Sequence, residues 1–466
     1  MPICTEGETL FAEGRIDEAK ARFEEVIKSH PACKEAHNNL GVIAYSEFHF
    51  GKAAGHFSRA LEIDPFYKDA ITNLCEVLNE TGQLAGARNL LEVACIKYPD
   101  DDYLANLLTM ALQATMVQSS DAVQPARDIL KLRVLQGTHE IANQSYTISE
   151  ALKKTGMTSK TLCYYPNYFK YKSDYVYDLT RCADREDAIA KSRELADQMI
   201  PQFDIFHFHF ATTLTYDYSD LPILQEQKKK VVTQYWGSEI RLLSRAKELN
   251  PYIKIKGKPE EVIREQLEAM SRFVDHCIVG DYELYEYVKD YFKHIHVIPS
   301  LIDIDAYKPD PERKPNDKFL IVHAPTDTGI KGSETVARVM DELSDDYDIE
   351  YRLIKGMSHE EAKQNYQQAD LIVDELHCGS YGLLSVETMA MAKPVITWIC
   401  DFMKEKYPAE LPILSANPDT LKSVVRHVLD NRDMLDELGQ RGRAYVEKYH
   451  DMNKVVKKIQ DVYRLL

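Results

Sequence analysis

ELHCGSYGLLSVETMAMAKPVITWI, residues 375–399, is the stretch on which the reading of the chain turns. A strand is expected to end near Leu376, and a loop with Gly379, Ser380, Tyr381 and Gly382 to follow. LLSVETMAMA then opens a helix, and a buried strand resumes after Pro394. Glycines before a helix start let backbone amides face an anion, and the helix dipole favours a phosphate there. Glu387 lies about one and a half turns inside. A carboxylate at that depth can accept two hydrogen bonds from a vicinal diol such as a ribose, or simply sit on the helix surface. Phosphate at the helix end and diol on the carboxylate together describe a nucleoside diphosphate. Leu384, Val386 and Met389 read as core, as does much of Leu383.

On both sides of this stretch, short apolar runs alternate with helix-length amphipathic segments, the pattern of parallel α/β folds. Strands are expected at 131–137, 160–165, 203–210, 229–236, 276–280 and 294–300, and in a second series at 318–325, 349–355, 369–376, 393–399 and 411–416. Between the series, LIDIDAYKPDPERKPND (301–317) is rich in proline and charge. Two α/β halves joined by a polar connector imply a cleft, and open α/β sheets bind ligands at the carboxyl ends of their strands.

Four further segments fall at such strand ends. In HAPTDTGIKGSETV (323–336), Lys331 can set an ammonium beside a diphosphate and Gly332 allows close backbone approach. Thr326 and Thr328 can donate hydroxyl hydrogen bonds. FDIFHFHFATTLTYD (203–217) places His207 and His209 on one side of a buried strand, and no acidic or cysteine partner motif joins them, so no metal site is expected. In YWGSEIR (235–241), Trp236 precedes a Gly237–Ser238 turn and can stack on a sugar face or pack in the core. LQGTHEIANQSYTIS (135–149) holds Gly137 and Asn143 about the end of the first strand, and the tyrosine-dense YYPNYFKYKSDYVYD (164–178) either lines a ligand groove or faces solvent.

The first hundred residues obey a different rule. Pro31, Pro65 and Pro99 stand 34 residues apart, as do Ala19, Ala53 and Ala87, and Phe23, Phe57 and Leu91. Small residues such as Gly41, Ala53 and Ala60 let two antiparallel helices approach, Leu40 and Phe57 fill the space between, and the proline ends each second helix. The three units over 1–99 resemble the tetratricopeptide repeat (TPR), with Glu6 and Cys75 departing from its pattern. DDYLANLLTMALQATM (101–116) reads as a helix capping the stack. The expected use of the repeats is protein binding or homo-oligomerisation; the alternative is a scaffold that only packs on the next domain.

Composition narrows the function classes. The 466 residues carry 57 Lys+Arg against 74 Asp+Glu, a net charge of −17, which argues against a nucleic-acid binder that works by neutralising phosphates. Nine scattered cysteines form no CxxC pair, so neither a zinc ribbon nor a dithiol redox site is indicated. The opening MPICTEGETLFAEGRIDEAK lacks a basic end followed by an apolar core, and no window is apolar enough for a transmembrane segment. A cytoplasmic location is the resulting expectation. GxxxxGK[ST] and HExxH are absent.

YGLLSVETMAMAKPVI (381–396) looks like the donor-site signature of retaining glycosyltransferases with two Rossmann-like domains, the GT-B fold, and resembles the family 4 type. That pattern is Glu, seven residues, Glu, then small residues and a Pro-Val strand. Glu387 fills the second position, and Gly379 stands at the first, where the family's carboxylate lies near the donor sugar. A related bacterial group keeps a Gly-x-Tyr-Gly form of the loop. Family members also often carry an arginine five residues before the Lys-Gly pair, where this chain has Thr326. His209 matches a histidine that approaches the sugar, and Trp236 replaces the histidine of a His-Gly-Ser-Asp turn. ELGQRGRAYVEKYHD (437–451) is similar to the family's terminal helices.

The fold class implied is α + α/β: N-terminal TPR helical repeats followed by two Rossmann-like domains (GT-B). The expected boundaries are 1–118 for the repeats, 119–127 for a linker, 128–303 for the acceptor-side domain and 304–317 for the interdomain linker. The donor-side domain would occupy 318–451, and a last helix, 452–466, would cross back to the first. The implied function is metal-independent transfer of a hexosyl or N-acetylhexosaminyl group, with no cofactor beyond a nucleotide sugar donor, UDP-linked, to an acceptor. The repeats suggest a protein acceptor. His209, Lys331 and Glu387 are the catalytic candidates. Thr326, Lys331, Gly332, Gly379, Ser380, Tyr381, Gly382, Leu383 and Glu387 would bind the nucleotide; Gly137, Asn143, His209, Trp236 and Gly237 would face the substrate. A catalytically degenerate GT-B scaffold and a nucleotide-sugar epimerase are the alternatives.

Overall fold

The computed structural model describes residues 4–47, 49–80, 129–166, 171–256 and 258–466, with positions 87, 90, 91, 94, 95, 97, 98, 101 and 103–109. The expected linker 119–127, the end of the capping helix beyond 109 and positions 167–170 of the tyrosine-rich stretch lie outside the described residues. The chain separates into two units, residues 1–127 and residues 128–466.

The first unit is helical: Thr5–Ala12, Ile16–Ser29, Lys34–Ser46, Phe50–Ile63 and Lys68–Glu80. Its repeat has a packing reason. A Cβ at Gly41 would lie 2.4 Å from the Phe57 ring, and one at Gly7 2.6 Å from Phe23. In the third unit Cys75 stands where the first two have glycine, and Leu91 replaces the phenylalanine; both are buried in one cluster. The smaller aliphatic partner makes room for the extra thiol, so the departure at Cys75 is compensated.

The second unit holds two parallel sheets. The first comprises β1 (Arg133–Thr138), β2 (Thr158–Cys163), β3 (Tyr175–Val176), β4 (Ile205–His209), β5 (Lys230–Tyr235), β6 (His276–Val279) and β7 (His294–Val297), in the order β3-β2-β1-β4-β5-β6-β7. The second comprises β8 (Phe319–His323), β9 (Ile349–Leu353), β10 (Leu371–Val373), β11 (Val395–Thr397) and β12 (Leu414–Ser415), in the order β12-β11-β10-β8-β9. Every expected strand is present. β3 is an addition: two residues, neither buried, too short to show as an apolar run. Each sheet carries apolar clusters on both faces, as parallel sheets require.

The strand orders locate the site. The order reverses between β1 and β4 in the first sheet and between β8 and β10 in the second. Crevices at carboxyl ends open at such switch points. The segments that follow β1, β4, β8 and β10 are those singled out by the motifs.

The chain passes between the halves twice. Ile302 N donates to His450 O at 2.9 Å and Met452 N to Ile302 O at 3.0 Å, so the two passages run side by side. Beyond them, the helix Met452–Leu465 buries Val455, Val456, Ile459, Val462 and Tyr463 against Val134, Ile148, Leu152, Ile205 and Val232 of the first half. Among the described residues no helix is long and apolar enough to cross a membrane.

Candidate functional site

The loop after β10 is held by packing from the other half. Gly379 has φ +86°, and a Cβ there would meet Asn250 Nδ2 at 2.6 Å and Cys400 Sγ at 3.1 Å. Asn250 cannot yield easily: its amide donates to His377 O at 2.7 Å, and its carbonyl accepts from Trp398 Nε1 at 3.1 Å and Tyr252 N at 3.0 Å. A glutamate at position 379 therefore has neither space nor backbone freedom, and the motif's first carboxylate is excluded rather than merely substituted. Gly379→Ala should lower stability by about 2 kcal/mol or more, the cost of a left-handed alanine plus the clash. Urea unfolding would measure it, and Asn250→Ala added to Gly379→Ala should recover the steric part.

Lys331 ends the short helix Thr328–Lys331, whose first amides are capped by Asp327 Oδ1 at 3.0 and 3.1 Å. Gly332 turns the chain with φ +78°. The Lys331 ammonium lies 2.8 Å from Asp374 Oδ1 and 2.7 Å from Glu375 Oε2, with its side chain 16% exposed. A second hydrogen bond, from Ser385 Oγ at 2.7 Å, holds the other Asp374 oxygen. Burial alone would strip the proton from Lys331, but the two carboxylates outweigh it and raise its pKa. Burial raises the Glu375 carboxyl above its ordinary range, whereas Asp374 is held below it because Lys331 overcomes its desolvation. The ammonium expected to face a diphosphate is thus already shared by two carboxylates, one at the end of β10 and one beside it. A Cβ at Gly382 would lie 3.5 Å from Lys331 Nζ, so the charge sits directly under the N-terminus of the helix Leu383–Ala390.

That N-terminus opens onto a cavity of about 270 Å³ whose lining includes Ala142, Gln144, Trp236, Arg241, Asp281, Glu375, Ser380, Tyr381, Gly382, Leu383 and His450. Arg241 places a guanidinium on this lining. Its guanidinium is oriented by Glu283, at 3.0 Å and 2.9 Å, which also accepts from Tyr287 at 2.6 Å. Asp281 is raised to about 6 by burial and the nearby Glu283. Tyr381 fixes the loop to the terminal segment, its hydroxyl 3.1 Å from that of Tyr445 and 3.0 Å from His450 Nε2.

A second cavity, about 450 Å³, shares Ala142 and Gln144 with the first and is lined by Asn143, Tyr146, Tyr171, Tyr307, His359, Lys363 and Glu387 among others. Glu387 Oε1 accepts from Tyr307 at 2.8 Å and from His359 Nε2 at 3.0 Å. The hydrogen bond to Glu387 raises the His359 pKa. The structure therefore brings Glu387, Asn143, the glycine loop and Trp236 onto adjoining cavities, with Lys331 just beneath.

Other expected residues take different places. His209 is 1% exposed and lines neither cavity. Its Nδ1 accepts from Trp236 Nε1 at 3.3 Å, its Nε2 meets Gln136 Oε1 at 2.8 Å, and its ring stacks on His207 and Trp236. Direct contact with a sugar is blocked by that packing; His209 holds Trp236 instead. Burial lowers its pKa well below the ordinary histidine range, so it is neutral. Gly137 lies inside the first sheet, where a Cβ would approach Leu162 O to 3.0 Å; it serves strand packing, not substrate. Gly237, at φ +143°, lets the Arg241 guanidinium fold back to within 2.5 Å of where a Cβ would be. Thr326 is exposed and lines none of these cavities. Asn250, Asp281, Tyr307 and His359 carried no motif, and Asn250, Tyr307 and His359 bond residues 127, 80 and 28 positions away.

Comparison with known proteins agrees with this architecture. Residues 4–68 and 44–111 match two tetratricopeptide repeat models. A sucrose-phosphate synthase from Thermosynechococcus elongatus superposes with a TM-score of 0.51 at 14% identity, covering 72% of this chain and 99% of that one. An O-GlcNAc transferase from Thermobaculum terrenum covers 99% of this chain and 96% of its own with a TM-score of 0.45 at 14% identity. A probable biofilm formation methyltransferase, WspC, of Pseudomonas putida is 28% identical over 85 residues, 18% of this chain, and the match spans only 20% of that relative.

Proposed function

With tetratricopeptide repeats at its N-terminus and the GT-B fold after them, we propose that this chain transfers a sugar from a UDP-linked nucleotide sugar to an acceptor, with retention at the anomeric carbon. One observation carries the reading: the Glu387 cavity and the cavity at the start of the helix Leu383–Ala390 adjoin through Ala142 and Gln144. Gly382 and Glu387 are five residues apart on one helix, a rise of about 7.5 Å, which suits the distance between a diphosphate and its ribose diol. The Glu387 carboxylate would accept from the diol. Helix amides, Lys331 and Arg241 would meet the diphosphate without a metal. Trp236, held by His209, would stack on the sugar. As the bond from the anomeric carbon to the phosphate oxygen breaks, the acceptor oxygen bonds that carbon on the same face, and its proton passes to the departing phosphate. The repeats support a protein as the acceptor.

Calorimetry with UDP, followed by analysis of products from UDP-sugar hydrolysis, tests this. UDP binding with released sugar supports transfer, interconverted nucleotide sugar supports an epimerase, and no binding supports the degenerate scaffold that paired Lys331 and absent carboxylate 379 favour.

The surplus of carboxylates makes a pH prediction. Lys331 faces both Asp374 and Glu375, Arg241 faces Glu283, and Asp281 adds a further acid. A diphosphate entering this field favours protonation of groups already raised, Asp281 at about 6 and Glu375 by burial. Binding should take up a proton, so affinity should rise as pH falls from about 8 to about 6, by at most about tenfold per unit for each proton. UDP-glucose is the probe, because its diphosphate does not titrate there. A flat or falling affinity would contradict the charge arrangement.

A further inference from the structure

The cavity at the start of the helix Leu383–Ala390 takes its lining from both halves, Trp236 from the first and Tyr381 from the second. What fixes the Trp236 ring can be followed to the far end of the chain. We propose that Tyr463, on the last helix, is a positioning residue for Trp236: one hydrogen-bonded chain through Gln136 and His209 joins them, so the seating of the last helix on the first sheet sets how the indole stands in the cleft. Its part in sugar binding rests on the nucleotide-sugar reading above; the link between the two side chains does not.

The direction of the chain is the first support. An indole N–H can only donate. Trp236 Nε1 donates to His209 Nδ1 at 3.3 Å, which leaves Nε2 as the donor of that ring. His209 Nε2 therefore donates to Gln136 Oε1, at 2.8 Å. With its oxygen so used, Gln136 turns its amide nitrogen to the Tyr463 hydroxyl, at 2.9 Å. That hydroxyl accepts from Gln136 and gives its own proton to His207 Nδ1, at 2.8 Å. Four hydrogen bonds run in one direction, and each later assignment follows from the one before. The order needs both histidines neutral. Burial secures this, lowering the pKa of His207 to about 3 and that of His209 well below its ordinary range. Gln136, His207 and Tyr463 are 0% exposed and His209 1%, so water does not compete for these groups. In such a setting an unmade hydrogen bond is costly, and a chain of them responds as a unit.

The place of the last helix is the second support. Trp236 has two anchors. Glu239 accepts from Trp236 N at 2.5 Å and from Gly237 N at 2.8 Å, which fixes the backbone. His209 holds the ring, by its hydrogen bond and by stacking at 5.9 Å with the planes 21° apart. The terminal segment reaches the other half as well: His450 Nε2 lies 3.0 Å from the Tyr381 hydroxyl, and Trp236, Tyr381 and His450 line the same cavity. The helix that begins at Met452, just after His450, carries Tyr463 in its last turn. Val455, Val456 and Ile459 seat that helix on the first sheet through apolar contact alone. Such contact is non-directional and tells the indole nothing about which way to face; the Tyr463 hydroxyl does.

The full chain, labelled with nitrogen-15 in its two tryptophans, tests this by NMR. It should give two indole N–H signals, and the one missing from Trp236→Phe belongs to Trp236. Tyr463→Phe removes the hydroxyl alone and leaves the Gln136 amide free to turn. It should shift the Trp236 signal and leave that of Trp398 in place; Gln136→Met, which cuts the chain one link nearer, should do the same. Tyr463→Phe should also lower the affinity for UDP-glucose or UDP-N-acetylglucosamine relative to UDP by about threefold or more, because only the sugar meets the indole. Val456→Ala trims the same face of the same helix without touching the chain. It should lower the urea midpoint yet keep both the signal and the affinity ratio. A Trp236 signal unmoved by Tyr463→Phe and Gln136→Met, or moved as far by Val456→Ala, would overturn the positioning role. A shifted signal with UDP weakened as much as the UDP-sugars would overturn its part in sugar binding. If neither UDP nor the UDP-sugars bind the natural chain while Tyr463→Phe still shifts the signal, the nucleotide-sugar reading falls and the link is supported.

Discussion

Lys331→Met should destabilise the second Rossmann-like half by about 3–5 kcal/mol, the range for a buried ion pair that loses one partner. The ammonium is the shared counter-charge of Asp374 and Glu375, whose side chains are 0% and 7% exposed. Without it two like charges remain side by side out of water. The sign with pH follows. The folded state of the variant would bind protons that the unfolded chain releases, so its deficit should shrink as pH falls and widen as pH rises. Urea unfolding at both ends of that range measures it. Adding Asp374→Asn and Glu375→Gln to the variant should restore most of the stability. By contrast, Glu375→Gln alone in the natural chain leaves one ammonium to one carboxylate, and should tighten UDP binding by about tenfold because a unit negative charge near the diphosphate is gone. If Lys331→Met unfolds like the natural chain at every pH, the ion triad contributes nothing to the fold. If Glu375→Gln weakens UDP, the diphosphate does not lie near it.

Glu387→Ala should weaken UDP binding about a hundredfold, as expected for two charge-assisted hydrogen bonds to one diol. The substitution also frees the Tyr307 hydroxyl and His359, so a loss of stability will accompany it. A second ligand separates the two effects. For 2′-deoxy-UDP one of the diol hydroxyls is missing, so the same substitution should cost it much less. Equal losses for the two nucleotides would show that Glu387 holds the loop and not the ribose. Glu387→Gln should fall between, because an amide oxygen can keep the Tyr307 contact while its nitrogen faces the pentose.

How far the chain alone reveals its site varies with the kind of feature. The helix pairs could be found because 34-residue spacing repeats the same contact, as Gly7 with Phe23 and Gly41 with Phe57 show. Strand positions could be found because parallel strands buried on both faces read as apolar runs; only β3, two residues and unburied, escaped. Glu387 stood out because a glycine loop, a helix start and a carboxylate lie within one short segment. His209 misled because alternation tells which side of the strand it occupies, not what covers that side. Trp236 and His207, with Tyr463 of the last helix behind them, fill the space.

The repeated helices, the two alternating halves and the helix that carries both a glycine start and an inner carboxylate are properties of residues near one another in the chain, where periodicity and turn chemistry act. The pairing of Lys331 with Asp374, 43 residues on, is another matter. So are the occupation of the space at Gly379 by Asn250, which bonds a residue 127 positions away, and the pairing of Arg241 with Glu283, 42 residues on. Each depends on segments distant in the chain that meet only when a sheet assembles or the halves dock. Local sequence prescribes which elements form and which side is apolar; it carries no record of the charge or the bulk that the rest of the chain will bring to that side.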